Sequence, residues 1–447
     1  MASPLMALLP KDGKQHPELA TLIGALNPLP MAKPGENPYQ TGILSILEIP
    51  KTAAVGTGIS KMLAKTKFYI GNDIPENVVK YAMTTQAAIF GDYPTSKDYA
   101  PCGVFIAVFS IIAIAHLYIW ARDRMKGHKF YLSFGLGIYG LFQVIGFALR
   151  LGWSQDVTRL NVGIASLVFN IASVLIVNIM NVVLAHRIFT ARHPETGSAS
   201  WFNAIMNLIY VLVIGVLVMA IVAQVVPYIY YIDEKHYTMC KKVVRAASIL
   251  AMLIAFCGLP IIGLAYMFKP GQLAFLGNKE SKHGGPVTTV SPTWIKSFGT
   301  FSYTSPPTPI YRDQADGKGH AIRIMPVRNA DHPEAPSMTS NIMLILASSV
   351  LLTAGTAMRC ASTFIEEKAV PGEMNGIFKP VCLYLAFGLF EALANILYLI
   401  ARVDLRFYIP DMAKKGQGPI GSQDLEENLT DGKGSPSHLE QTKSVSE

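Results

Sequence analysis

From Cys102 onward the chain reads as long apolar runs separated by short polar breaks. Seven runs stand out, at Cys102–Ala121, Phe130–Leu149, Leu160–Leu184, Phe202–Val226, Val243–Phe268, Asn341–Ala361 and Val381–Ala401. Each approaches or exceeds the roughly 20 apolar residues that cross a hydrocarbon core about 30 Å thick. A lone segment in lipid must satisfy its own backbone hydrogen bonds, so the runs predict helices. Strands of a membrane barrel would alternate over about 10 residues, and these runs do not alternate. The pattern therefore predicts an all-α polytopic membrane protein, a bundle of seven transmembrane helices. Pro260 inside the fifth run predicts a kink there.

The same pattern divides the chain. Residues 1–100 mix Pro, Gly and short apolar pieces and predict an N-terminal extramembrane region. Gly42–Ile49 is too short to span, and Ser60–Ala64 and Glu76–Phe90 predict short helices. Met1–Ala20, broken by Pro4, Pro10 and Lys11, does not read as a cleavable signal peptide. Residues 101–268 hold spans one to five, and 341–408 hold spans six and seven. Between them, 269–340 carries Gly284, Gly285, Pro286, Pro292, Pro306, Pro307 and Pro309 and predicts a flexible loop. Residues 409–447 are polar and predict a disordered tail.

Composition fits lipid as the solvent. Hydrophobic residues make up 51% and charged residues 15%, against about 25% charged in ordinary soluble domains. Mean hydropathy is +0.34. The net charge of +8 would suit nucleic acid, but the basic residues flank apolar runs and form no stripe, so nucleic acid is not the predicted partner; membrane lipids are. The loop after span one carries Arg122, Arg124, Lys126 and Lys129, the loop after span three Arg187 and Arg192, and the end of span seven Arg402 and Arg406. The positive-inside rule then places the N-terminus outside or in a lumen and the C-terminus in the cytoplasm, in the plasma membrane or an endomembrane. Lys235, Lys241, Lys242 and Arg245 oppose that orientation. It puts Cys102, Cys240, Cys360 and Cys382 near an oxidising face, as candidates for one or two disulfides or as small apolar fillers. It also leaves the sequon Asn428-Leu429-Thr430 in the cytoplasm, unused.

Polar residues inside the spans are the candidate functional groups. Glu391 sits near the middle of span seven, where a carboxylate costs about 2.5–3.5 kcal/mol on insertion scales. Asn395 lies one turn on and Tyr398 nearly another, making one polar stripe. The stripe reads either as a ligand-binding or proton-coupling site or as a tie between helices. Asn170, Ser173, Asn178 and Asn181 in span three read as interhelical glue or a polar cavity wall. Gln143 lies in span two, with Arg150 at its outer end, and Arg359 lies near the outer end of span six. The two arginines either snorkel to the surface or flank an anionic group, and Arg359 has Glu391 as a distant candidate partner. H-E-x-x-H, Walker A, G-x-S-x-G and C-x-x-C patterns are absent. No catalytic residue, metal or cofactor is predicted, and the chain is not read as an enzyme.

Several edges carry a resemblance. Gly127-His128-Lys129-Phe130 opens span two, and Asn178 to Ile188 followed by Ala191-Arg192-His193-Pro194 closes span three. Arg359 is followed by Phe364, and Cys382, Tyr384 and Glu391 lead to Ala401-Arg402-Val403-Asp404-Leu405-Arg406-Phe407-Tyr408-Ile409-Pro410. Over roughly Ala100 to Pro410, apart from the long loop, the chain resembles a fungal family of multi-pass membrane proteins of unknown function. In outline it is similar to the fungal lipid-translocating exporter, or resistance-to-aminocholesterol-like, proteins. Gln143-Val144-Ile145-Gly146-Phe147 with Arg150 resembles their polar-Gly-aromatic-Arg pattern, with Gln143 standing where their usual acid does. That second resemblance implies seven spans and lipid movement or drug resistance. The first function expected is thus transport or translocation of lipids or small lipophilic molecules. The alternative is a seven-helix receptor or sensor, with 269–340 or the tail meeting a cytoplasmic partner.

Overall fold

The computed structural model describes residues 35–125, 130–193, 199–268, 338–370 and 374–407, with a few residues before 35 and an antiparallel pair joining Ile310–Tyr311 to Ile324–Arg323. Most of the 269–340 loop, the 409–447 tail with Asn428, Met1–Ala20 and Lys126–Lys129 lie outside the described residues. Among the described residues, seven helices are long and apolar enough to cross a membrane: Ser96–Met125, Tyr131–Gln155, Leu160–Thr190, Ser200–Ile229, Glu234–Met267, Ser340–Ser362 and Pro380–Ile400. They coincide with the seven predicted runs, and the chain is a multi-pass membrane protein.

Span three is the central post, with 67% of its apolar window buried, whereas span four keeps only 17% buried and faces outward. Close approach between helices rests on small residues, as it does where lipid tails supply no hydrophobic drive. A Cβ on Gly140 would lie 2.9 Å from the Ala113 Cβ, which brings spans one and two together. A Cβ on Gly355 would lie 2.9 Å from the Ala386 carbonyl, which does the same for spans six and seven. Span five breaks where its proline dictates. The first helix ends at Phe256, four residues before Pro260, and a second runs Gly258–Met267. Pro260 has no N–H for the Phe256 carbonyl, and its ring crowds that carbonyl. Span seven winds as a π-helix over Tyr384–Phe390, directly before Glu391. Such segments gather at functional sites.

The region before span one folds onto the ends of the bundle. Two helices, α1 (Ile59–Ile70) and α2 (Glu76–Thr84), close over Tyr39, Leu44, Met62 and Val78. The Tyr39 hydroxyl accepts from the Gly56 and Thr57 amides at 2.8 and 3.1 Å. Four backbone bonds stitch this cap to the bundle. Gly58 N–H donates to Pro227 O at 2.7 Å and Ala54 N–H to Ile232 O at 2.8 Å, between spans four and five. Ala88 N–H donates to Glu367 O at 2.8 Å and Ala369 N–H to Gln86 O at 3.0 Å, between spans six and seven. Gly58 takes φ +69°, and a Cβ there would lie 2.2 Å from the Tyr231 ring, so the junction needs glycine.

Candidate functional site

Glu391 is buried between spans two and seven. Its Oε2 accepts from the Tyr139 hydroxyl at 2.8 Å and from Gln143 Nε2 at 2.5 Å. Gln143 Nε2 also reaches the Phe387 carbonyl at 3.3 Å, inside the π-helical turn. Asn395 Nδ2 donates to the Glu391 carbonyl at 2.9 Å and so braces the helix. The stripe on span seven therefore faces inward, and Gln143 joins it from span two.

One side-chain amide ties three spans together. Asn181 Oδ1 accepts from Ser348 Oγ and from the Tyr398 hydroxyl, each at 2.8 Å, and its Nδ2 donates to Ser349 Oγ at 2.8 Å. Gly258 of span five packs against the cluster, since a Cβ there would meet Ser349 Oγ at 2.4 Å. Asn181 thus acts as interhelical glue. Asn178 is fully buried, with no hydrogen-bond partner for its amide among the described residues, and Ser173 donates to its own helix at Asn170 O.

Arg150 does not snorkel to the surface, nor is it free for a substrate. Its side chain is buried with Asp98 of span one, Nη2 to Oδ1 at 2.9 Å. The Asp98 carboxylate also receives the Tyr384 hydroxyl at 2.5 Å and the Thr95 amide at 2.8 Å. Gly91 and Asp92, at φ +85° and +55°, turn their carbonyls onto the guanidinium, with Gly91 O at 2.6 Å. Burial holds the Asp92 carboxyl above its ordinary value, against the lowering pull of the Tyr93 amide and Arg150. The sequence expectation failed because Asp98 lies in the turn before the first apolar run. The signal was the Thr95-x-x-Asp98 capping box, which pins that carboxylate at the helix start.

Arg359 behaves differently. A cavity of about 680 Å³ opens among spans three, four, five and six beneath the cap. Its wall includes Leu175, Ala220, Gln224, Ala247, Ser248 and Arg359. Arg359 reaches across it, Nη2 to Gln224 Oε1 of span four at 3.2 Å, with its guanidinium 5.7 Å from the centre of the Phe387 ring. It makes no hydrogen bond or ion pair with Glu391, which accepts from Tyr139 and Gln143. At the rim, Glu366 pairs with Arg245 at 2.5 Å and Lys241 at 3.6 Å. That exposed carboxyl sits below its ordinary value, chiefly through the Arg245 hydrogen bond and then the Lys241 charge. Gln224 went unnoticed in the sequence, although it is a lone polar residue near the end of the most lipid-exposed run.

The cysteines do not come together in bonds, and all five are free. Cys102 meets the Tyr384 hydroxyl at 3.2 Å, and Cys360 accepts from Ser248 at 3.7 Å. Cys240 lines the cavity, and Cys382 donates to the Gly376 carbonyl at 3.4 Å. At the opposite face Arg187 is buried, donates to the Phe407 carbonyl and lies over Phe130, rather than facing lipid head groups. Asp404 gathers Arg402 at 2.6 Å and Arg122 of span one at 3.6 Å. Among the described residues no three His, Cys, Asp or Glu side chains gather as a metal site.

The cavity wall and the Glu391 pair draw on both halves of the bundle, and similarity to known proteins covers one of them. No curated protein and no solved structure matches the chain. A protein-family model described as "Protein of unknown function (DUF3112)" matches residues 194–408, which takes in spans four to seven with Gln224, Arg359 and Glu391.

Proposed function

We propose that the chain binds lipids or small lipophilic molecules within the bilayer and moves them across it, without catalysing a reaction on them. The cavity carries this reading. Its volume of about 680 Å³ falls inside the roughly 300–1,000 Å³ of small-molecule sites, and its lining joins apolar residues of spans three and four to polar ones at the cap and rim. Span four, which forms one wall, is the span most open to lipid. The resemblance to the fungal lipid-translocating exporters points the same way. In the orientation favoured by the basic loops, the capped mouth faces outside or lumenal space, and the Arg122 and Arg402 end faces the cytoplasm, in the plasma membrane or an endomembrane.

One observation favours a receptor as the second reading. The cavity occupies only the capped half of the bundle, and the Asn181 cluster closes the path about 9 Å further along span three, at 1.5 Å per residue. A transporter opens that cluster in its cycle; a sensor keeps it shut and passes a signal.

The test is lipid movement in vesicles containing the purified full chain. Labelled short-chain lipid crosses faster than in empty vesicles, and Ala220→Trp, which fills the cavity, removes most of the gain while the protein stays monodisperse. Wild-type vesicles no faster than empty ones overturn translocation. Binding without movement, lost in Ala220→Trp, selects the receptor.

A further inference from the structure

Four cations line the cavity: Lys241, Arg245, Lys368 and Arg359. Arg245 and Lys241 share Glu366 at the rim. Lys368 is exposed at the rim, where its backbone pairs with the cap at Ala87. Arg359 lies deeper, half-buried in the wall. Among the described residues its guanidinium has one hydrogen bond, to the neutral Gln224 amide, and no ion pair. A guanidinium carries five N–H donors in a planar fork. In a membrane span such a charge is costly unless it faces water or a partner. The nearby acid makes no bond to it, because Glu391 accepts from Tyr139 and Gln143 instead. The cavity therefore holds a fixed positive fork beside apolar residues of spans three and four such as Leu175 and Ala220, while its polar lining gathers at the cap and rim.

We infer that Arg359 is the head-group anchor of this cavity, held by Gln224 until a ligand displaces that amide, and that the ligand is an anionic amphiphile with a carboxylate or phosphate head and one apolar tail. This rests on the cavity being a ligand site, as proposed above. The anion takes the guanidinium donors and replaces the Gln224 amide, since charge-assisted bonds to Arg are stronger than neutral ones and use the fork in pairs. The tail lies along the apolar walls contributed by Leu175, Ala220 and Ala247. Loading the site thereby exchanges the Arg359–Gln224 link between spans six and four for a bond to the ligand. Arrival of the ligand and release of span four become one event.

The test is binding to the purified full chain in uncharged detergent, with laurate, dodecyl phosphate, dodecanol and inorganic phosphate as probes. Wild type binds the two anionic amphiphiles on the order of ten-fold or more tighter than dodecanol, the scale of one charge-assisted pair. Inorganic phosphate alone binds weakly. Arg359→Met brings laurate and dodecyl phosphate down to the dodecanol level and leaves dodecanol unchanged. Gln224→Leu, which removes the competing acceptor, keeps or tightens anion binding. Equal binding of dodecanol and laurate by wild type overturns the inference but leaves the cavity reading standing. Failure of every amphiphile to bind overturns both. Tight binding of inorganic phosphate without a tail also overturns it, in favour of a free-anion site. Should Arg359→Met misfold, the wild-type preference and the Gln224→Leu response still decide.

Discussion

Arg150 and Arg359 sit near the same face of the bundle, each at the end of an apolar helix, and the sequence treats them alike. Their surroundings are opposite. Arg150 is enclosed by a carboxylate, two backbone carbonyls and the Tyr384 ring. Arg359 has one neutral amide and a cavity beside it. A buried charge needs a partner wherever it lies. Arg150 has its partner within the chain and is therefore structural. Among the described residues Arg359 has no bonded acid, and the cavity leaves room for a partner from outside. The comparison separates a charge that holds helices together from one that is left available to a ligand.

The largest effect that tests the contrast is on stability. Arg150→Met strands Asp98 in a buried turn, and removing one member of a buried pair costs about 3–5 kcal/mol. The thermal midpoint in detergent falls steeply, or the protein fails to accumulate. Adding Asp98→Leu restores much of the loss, because a packed apolar pair replaces the ions. Arg359→Met leaves the midpoint close to wild type. Equal losses for the two arginines would mean that both are structural and that the contrast is false.

A second, functional difference separates the two acids. Asp98 bonds its arginine, whereas Glu391 accepts from Tyr139 and Gln143 and makes no bond to Arg359. Glu391→Gln keeps an acceptor for Tyr139 and Gln143, so folding is retained. It replaces the span-seven carboxyl with a neutral amide of the same shape. We expect lipid movement to fall several-fold at unchanged expression and monodispersity. Unchanged movement would reduce Glu391 to a tie between spans two and seven.

The seven spans were legible because lipid imposes one rule on every residue of a run, and local composition reports that rule directly. The break before Pro260 was legible for a similar reason, since a missing N–H is a property of one residue. The inward stripe of Glu391, Asn395 and Tyr398 followed from helical spacing. Partners across the bundle did not. Tyr139 with Glu391 and Asp98 with Arg150 depend on how helices are rotated and how deep each sits, and neither is written in one segment. The cavity was invisible for the same reason, because it is the space that four spans and the cap leave between them. Gln224 carried a faint signal as an isolated polar residue, but only the geometry shows which cation it faces.

The smallest effect lies at the rim, where the same contrast recurs in weaker form. Arg245 and Lys241 share Glu366, whose side chain is 59% exposed, while among the described residues Arg359 below them has no such acid bonded to it. Solvent screening holds an exposed pair of this kind to under about 1 kcal/mol, so Glu366→Gln barely moves the thermal midpoint. Its carboxyl sits below the ordinary value of 4.5 in the folded chain, chiefly through the Arg245 bond. The pair's stabilisation is therefore complete above 4.5 and fades as pH falls through the lowered folded value. Wild type loses slightly more stability than Glu366→Gln over that acid window, and added salt narrows the gap. The variant has a second consequence. Freed of their acid, Arg245 and Lys241 add positive charge at the mouth, so laurate binds faster at low salt while its final affinity still depends on Arg359. Affinity that followed the rim charge and ignored Arg359 would move the anion site from the cavity wall to its mouth.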